Sequence, residues 1–291
     1  MLDCRISAST LRFAVFGKSL PHTWSPQIHN SLFHAAGIDA VYFAVTVPDE
    51  QIGSAADVFR SCFSGFNVTI PYKERIIPFL DEVDDAVRVC GAVNTVENRD
   101  GRLIGHITDG LGMLRAIEEG GISTDGVDAL ILGGGGAARV AAYEFLVRKG
   151  RVTIAVRNLE KGKRLAKELA DTQVDGMARI QVSTLDDVRG AHDILINCTP
   201  VGMYPECDAS HVAVVWFQGA ALCLMRCIIQ EKPNCSPWRV HRVFLALKVW
   251  ACSFIRPSRR RNTGLGSRAL LPRSSKDASI VCFLNPCDIA G

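Results

Sequence analysis

The chain has 291 residues, 48% hydrophobic and 22% charged, with a formal net charge of +3. That length suits one large or two ordinary domains, and the composition excludes a disordered tail protein, a collagen-like repeat and a disulfide-stapled miniprotein. The charge is unevenly spread: residues 1–222 carry 21 basic and 27 acidic side chains and five cysteines, whereas residues 223–291 carry 12 basic, 3 acidic and six cysteines.

The opening run MLDCRISASTLRFAVFG has no long apolar stretch followed by a small-residue cleavage site. It reads as the start of a cytoplasmic chain that keeps its cysteines reduced. Leu11–Phe16 is a short apolar strand, followed by a polar loop and a helical stretch from Pro26 to Ala36. Val41–Val47 and Phe66–Thr69 read as further strands, rich in β-branched and aromatic residues. Ala92–Val96 and Leu103–Ile107 form a hairpin around Asn98–Gly101, and a helix runs from Gly110 to about Glu119. The stretch Gly120–Gly126 holds three glycines in seven residues and reads as a boundary.

Beyond it the alternation sharpens. Asp128–Leu132 is a buried strand, Gly133–Gly136 a glycine turn and Ala137–Lys149 a helix. Arg151–Val156, Ile180–Val182 and Asp193–Asn197 are strands, and Leu159–Ala170 a helix. This pattern predicts a parallel sheet covered on both faces. The apolar stretch Val212–Ile229 is interrupted by Gln218 and Arg226 and falls short of a membrane span. Cys223 and Cys227 lack a second pair at finger distance, so no metal site is expected.

Gly133, Gly135 and Ala138 occupy the G-x-G-x-x-G/A spacing between a strand and a helix, the context of a dinucleotide fingerprint. There the backbone turns sharply and offers amides to a pyrophosphate at the positive end of the helix. The next strand ends in Val156–Arg157–Asn158, followed by Lys161 and Arg164, where an NAD site usually carries Asp or Glu. A guanidinium there suits a 2′-phosphate and favours NADP; an ordinary basic helix start is the alternative. Other candidates have plain readings when taken singly. A lysine such as Lys73, at a strand end turning through a proline, can exchange protons if its surroundings bring it towards neutrality, or can simply be solvated. Asp109 can be a helix cap, Asn94 a turn amide, and Thr23 and Ser25 caps of the helix that follows.

Taken as a set, the runs GKSLPHTWSPQIHN, NVTIPYK, GAVNT, GHITDG, LGGGGAAR and INCTPVGM, in this order, resemble the shikimate dehydrogenase family over about residues 11–217. The resemblance implies a two-domain α/β fold. Residues 1–109 would form the substrate-binding catalytic domain, and residues 110–222 a Rossmann-like NADP-binding domain with a parallel sheet. It implies reversible NADPH-dependent reduction of 3-dehydroshikimate to shikimate, in the chorismate route to aromatic amino acids. By the same match Lys73 handles the proton, and Asp109 hydrogen-bonds the substrate and orients Lys73. Thr23, Ser25, Thr69 and Asn94 hold the ring hydroxyls and carboxylate. Gly133, Gly134, Gly135, Gly136 and Ala137 form the pyrophosphate loop, Arg157 with Asn158 meets the 2′-phosphate, and Asp85 lies near the nicotinamide. The expected partners are small molecules, not nucleic acid or membrane, with the chain a monomer or homodimer.

Three departures lie inside the matched region. Thr23 stands where the family usually has serine, which points towards quinate as an alternative substrate. Ile107 replaces an asparagine, and Val156 replaces the asparagine before Arg157. After Trp216–Phe217 the departure is complete: the family's VFDxVYNP strand, GLGML loop and glutamine-bearing helix are missing. A reading-frame shift near residues 218–223 accounts for this, for the arginines and for the cysteines. It makes residues 223–291 an aberrant, poorly ordered tail and the chain a candidate for lost activity, because unselected sequence rarely makes a consistent fold. A non-catalytic NADP-binding protein whose basic tail contacts nucleic acid is the remaining alternative.

Overall fold

The computed structural model describes residues 6–21, 23–172, 177–189, 192–201 and 222–225. They fall into two compact units, one ending at Thr108 and the other beginning at Asp109.

The first unit is built on a six-stranded mixed sheet in the order β2-β1-β3-β5-β6-β4. Its strands are β1 (Leu11–Gly17), β2 (Ala40–Thr46), β3 (Gly65–Val68), β4 (Glu82–Val83), β5 (Thr95–Arg99) and β6 (Arg102–His106). β1 pairs in parallel with β2 and β3, while β5 runs antiparallel to both β3 and β6. The expected hairpin is present. Asp100 (φ 51°) and Gly101 (φ 86°) form its two-residue loop, with the left-handed backbone such a turn needs. Helix α1 (Ser25–Ala35) places Phe33 against Val15 and Tyr42 on one face of the sheet. Helix α2 (Ile52–Cys62) buries Ile52, Ala56 and Phe59, one side of a helical repeat. The Phe59 ring meets Phe16 and Phe66. Helix α3 (Asp85–Cys90) is capped by Asp84, whose carboxylate accepts from the Val87 N–H at 2.8 Å, and ends on Gly91 in the left-handed region.

The strand directions determine where the loops meet. The ends of β1 and β3, the start of β5 and the end of β6 all lie at one end of the sheet, because Phe16 pairs with Val68, Asn67 with Thr95, and Thr95 with His106. Residues 17–21, 23–25, 69–73, 94 and 108 therefore gather there.

The second unit carries a fully parallel five-stranded sheet in the order β11-β10-β7-β8-β9. Its strands are β7 (Asp128–Leu132), β8 (Arg151–Val156), β9 (Ile180–Thr184), β10 (Ile194–Asn197) and β11 (Leu222–Met225). The helices are α4 (Asp109–Glu119), α5 (Gly136–Val147) and α6 (Leu159–Ala170). β7, β8 and β10 are near-continuous apolar runs, as strands of a parallel sheet covered on both faces should be. α5 buries Ala138, Ala141, Ala142 and Phe145, and α6 buries Leu165, Ala166 and Leu169. Each fully buried large side chain contributes about 1.5–3 kcal/mol. The helix expected to reach Lys149 stops at Val147, and Lys149 takes a positive φ of 61°. The glycine-rich stretch 120–126 joins α4 to β7 inside this unit.

β11 crosses residue 222, so residues 223–225 of the basic, cysteine-rich region extend the sheet alongside β10. The remainder of the tail, residues 226–291, lies outside the described residues, as do Met203 and Trp216–Phe217. Among the described residues no helix is long and apolar enough to cross a membrane.

Candidate functional site

In the first unit the candidate residues collect at the sheet end where the loops after β1, β3 and β6 meet. β1 finishes at Gly17, where a Cβ would lie 2.6 Å from Thr69 Cγ2, so glycine there lets the loop after β3 come close. The Thr69 N–H donates to the Phe16 carbonyl at 3.0 Å, which fixes Thr69 beside the end of β1. Thr23 and Ser25 are half-buried, and the Thr23 hydroxyl donates to Ser25 Oγ at 3.2 Å. Trp24 occupies the N-cap position of α1 without a side-chain cap bond, and the Ser25 N–H at the start of the helix donates to Thr23 Oγ1 at 3.4 Å.

Lys73 is half-buried, four residues beyond Thr69. Its carbonyl accepts from the Val93 N–H at 2.7 Å, which joins the lysine loop to the segment carrying Asn94. The Ile70–Pro71 peptide between Thr69 and Lys73 is cis.

Asn94 is only 5% exposed, and its amide is engaged within the protein. Its Oδ1 accepts from the Thr108 N–H at 2.9 Å and from the Thr95 hydroxyl at 3.0 Å, while its Nδ2 donates to Thr108 Oγ1 at 3.1 Å. The residue expected to grip substrate therefore first fixes the position of Thr108. Asn67 extends the cluster, donating to the Asn94 carbonyl at 3.1 Å and to Thr95 Oγ1 at 3.0 Å. Reading the sequence did not single out Thr108 or Asn67; the NVT and ITD runs contain them, but only the pairing of β3, β5 and β6 brings them together. Asp85 has a different setting. It starts α3 with its side chain 96% exposed and lies 3.7 Å from Arg88, the pairing of a solvated helix start.

In the second unit Asp109 is half-buried and opens α4. Gly110 follows, and a Cβ there would lie 2.2 Å from Glu144 Cγ and 2.8 Å from its Oε1. Glu144, 5% exposed on α5, therefore packs directly on the start of α4. No sequence signal marked this carboxylate.

The glycine turn sits where the sheet changes its direction of growth: β8 and β9 extend one way from β7, β10 and β11 the other. Ligands of open parallel sheets bind at such a switch point, outside the carboxyl ends of the strands. Gly133 has φ +110°, and a Cβ would lie 3.1 Å from the Cys198 carbonyl oxygen, so only glycine fits. Around Cys198, Asn197 Oδ1 accepts from the N–H and the hydroxyl of Thr199 at 3.0 and 2.7 Å, which shapes the INCTPV turn against the glycine loop. At Gly134 a Cβ would touch Val156 Cγ1 at 3.1 Å, whereas at Gly135 and Gly136 it would meet no atom of the described residues within 4 Å. Packing among the described residues does not demand those last two glycines. They leave the backbone open to close approach, and they open a 12-residue helix whose first N–H groups favour an anion. Ala137 is the next residue of α5 and Ala138 is fully buried against the sheet.

Arg157 is exposed just past the end of β8, and Lys161 and Arg164 are exposed on the first turns of α6. Asn158 caps α6, its Oδ1 accepting from the Lys161 N–H at 3.0 Å. Val156 is 5% exposed and fills the space beside Gly134 and Gly162, a packing role for the residue that replaces an asparagine. The donor set fits a phosphorylated dinucleotide: backbone amides and open glycines at one strand end, and cationic side chains at the next.

Comparison with known proteins agrees with both halves. The shikimate dehydrogenase substrate binding domain family matches residues 15–96. The shikimate dehydrogenase (NADP(+)) of Methanococcus maripaludis is 39% identical over 211 residues, 71% of this chain and 74% of that protein. A crystal structure of a shikimate dehydrogenase in complex with NADP+ superposes with a TM-score of 0.69 at 36% identity, covering 77% of this chain and 78% of the other. The Thermus thermophilus enzyme, solved with NADP(H) and shikimate, gives 0.65 at 31% identity, covering 75% and 78%.

Proposed function

Because the chain is a member of the shikimate dehydrogenase family, we propose that its two sites carry out the family's reaction, the reversible NADPH-dependent reduction of 3-dehydroshikimate to shikimate in aromatic amino-acid biosynthesis. The observation that carries this reading is the convergence of the Thr69–Lys73 loop, Asn94 and Thr108 on one end of the first sheet. NADPH, when bound, supplies the hydride. Gly133–Ala137 would cradle its pyrophosphate with backbone N–H groups, and Arg157, helped by Lys161, would pair with its 2′-phosphate.

Lys73 gives its ammonium proton to the substrate oxygen as the carbonyl becomes an alcohol, and takes that proton back in the oxidative direction. Asp109 accepts a hydrogen bond from a substrate hydroxyl. Thr23, Ser25 and Thr69 present hydroxyls to the ring substituents, and Asn94 holds the strand end that positions Thr108. A pocket that hydrogen-bonds hydroxyls rejects analogues lacking them. Asp85, solvated and turned to its own helix, has no part in this scheme. The partners in this reading are small molecules, and the setting is the cytoplasm.

The test is turnover by the full chain with NADP+ and either shikimate or quinate. Lys73→Ala should lower kcat by about two or more orders of magnitude. Arg157→Ala should raise KM for NADP+ about tenfold or more and leave that for NAD+ unchanged. Full turnover by Lys73→Ala would overturn the assignment, and a preference for quinate would reassign the substrate within the same chemistry.

A further inference from the structure

The loop that carries Lys73 is anchored by the residue beside it. Tyr72 is 0% exposed, and its hydroxyl donates to the Val47 carbonyl at 2.7 Å, tying the loop after β3 to the end of β2. Its N–H donates to the Thr69 carbonyl at 2.9 Å, closing the turn, and its ring lies tilted against Phe16 with centroids 5.9 Å apart. On the outer side the Arg75 guanidinium sits 5.4 Å from the ring centroid. Arg75 pairs with Asp49 at 2.6 Å and donates to the Asp49 carbonyl at 3.0 Å, and Lys18 pairs with the same carboxylate. With the Lys73 carbonyl held by Val93, the backbone of residues 72 and 73 is pinned on both sides.

Phenylalanine would pack on Phe16 equally well, so the ring alone does not account for a tyrosine. The hydroxyl does: the Val47 carbonyl belongs to a residue 4% exposed, and an acceptor there without a donor is costly. Burial first, and then the Asp49 carboxylate, raise the Tyr72 phenol above its ordinary range, which keeps it a protonated donor.

We propose that Tyr72 is a positioning residue for Lys73, holding its loop through the hydrogen bond to Val47, with the Arg75–Asp49–Lys18 ion pairs bracing the ring from the solvent side. The proposal rests on the reading of Lys73 as the proton-transfer group. Its experiment separates the two.

In the full chain, trace acetylation by acetic anhydride followed by mass spectrometry reads the reactivity of the Lys73 amine with or without turnover, with Lys149 and Lys163 as internal references. Tyr72→Phe should change the labelling rate of Lys73 about threefold or more and leave the references unchanged, since labelling follows the environment of each amine. Where turnover is measured, kcat should fall about tenfold with KM for NADP+ unchanged, the signature of a misplaced reacting group. Asp49→Asn, a change at the protein surface, should move Lys73 labelling in the same direction by less, and it decides the matter if Tyr72→Phe does not fold. Lys73 labelling that is unchanged in the folded variants overturns the proposal. Full turnover by Lys73→Ala overturns the reading of Lys73 instead, whatever the labelling shows.

Discussion

The side-chain oxygen of Asn94 accepts hydrogen bonds from both the backbone N–H of Thr108, at 2.9 Å, and its hydroxyl, at 3.3 Å. Both residues are buried, and Thr108 is the last residue of the first unit, directly before Asp109. A side chain 14 positions away thus fixes the point from which Asp109 emerges.

Asn94→Ala should therefore destabilise the free chain. It leaves the Thr108 N–H and the Thr95 hydroxyl without their acceptor in a buried setting, a loss of roughly 1–3 kcal/mol. Urea unfolding without substrate measures it. A variant as stable as the parent would mean that Asn94 acts through substrate alone.

Gly110→Ala gives a test in which two effects oppose each other. Alanine in a helix is favoured over glycine by about 1 kcal/mol. Here its Cβ would lie 2.2 Å from Glu144 Cγ, and overpacking costs about 1–3 kcal/mol. The single variant should lose stability, and adding Glu144→Ala should recover most of the loss. The double-mutant cycle should show a coupling of about 1 kcal/mol or more. Additive losses would remove Glu144 as the obstacle.

His29 provides a pH dependence. It is 8% exposed and stacked on Tyr42 with centroids 4.0 Å apart, and burial lowers it from the ordinary 6.5 to about 4. The unfolded chain binds a proton that the folded chain refuses, so stability is lost as pH falls from 6.5 towards 4. The whole effect is at most about 3 kcal/mol. His29→Phe keeps the stacking and should flatten unfolding free energy across that window. An unchanged slope would show that other groups set it.

The gene's own codons test the reading-frame shift. Combine the last base of each codon with the first two of the next. Leu224 to Lys232 should then spell D-A-V-Y-N-P-G-K, and Lys248 to Ile255 G-L-G-M-L-V-H. Trp250 followed by Ala251 forces the second glycine of that run under any alanine codon. Sequencing the gene decides it, and codons spelling other residues would leave the tail's composition to another cause.

What the sequence made legible was mostly local. The fingerprint Gly133–Ala138, the Asp100–Gly101 hairpin loop and the helix Leu159–Ala170 each rest on neighbouring residues. Helix α2 also has its period, Ile52, Ala56 and Phe59, but Gly53 and Ser54 weaken the pattern below recognition. Contacts between distant residues were not legible. Asn94 reads equally well as a ligand amide or a turn amide until β5 and β6 pair, and nothing near Glu144 in sequence announces that Gly110 must yield it room. The role of Tyr72 is not legible in its motif, because its partner Val47 is 25 residues away.

The glycines at the start of α5 divide into two kinds. Gly133 is needed by the fold itself, whereas among the described residues Gly135 and Gly136 have no atom that a Cβ would strike. A screen that ranks variants by heat resistance would discard changes at Gly133 and pass many at Gly135 or Gly136. Survival in such a screen is therefore no guide to whether a variant still takes up its dinucleotide.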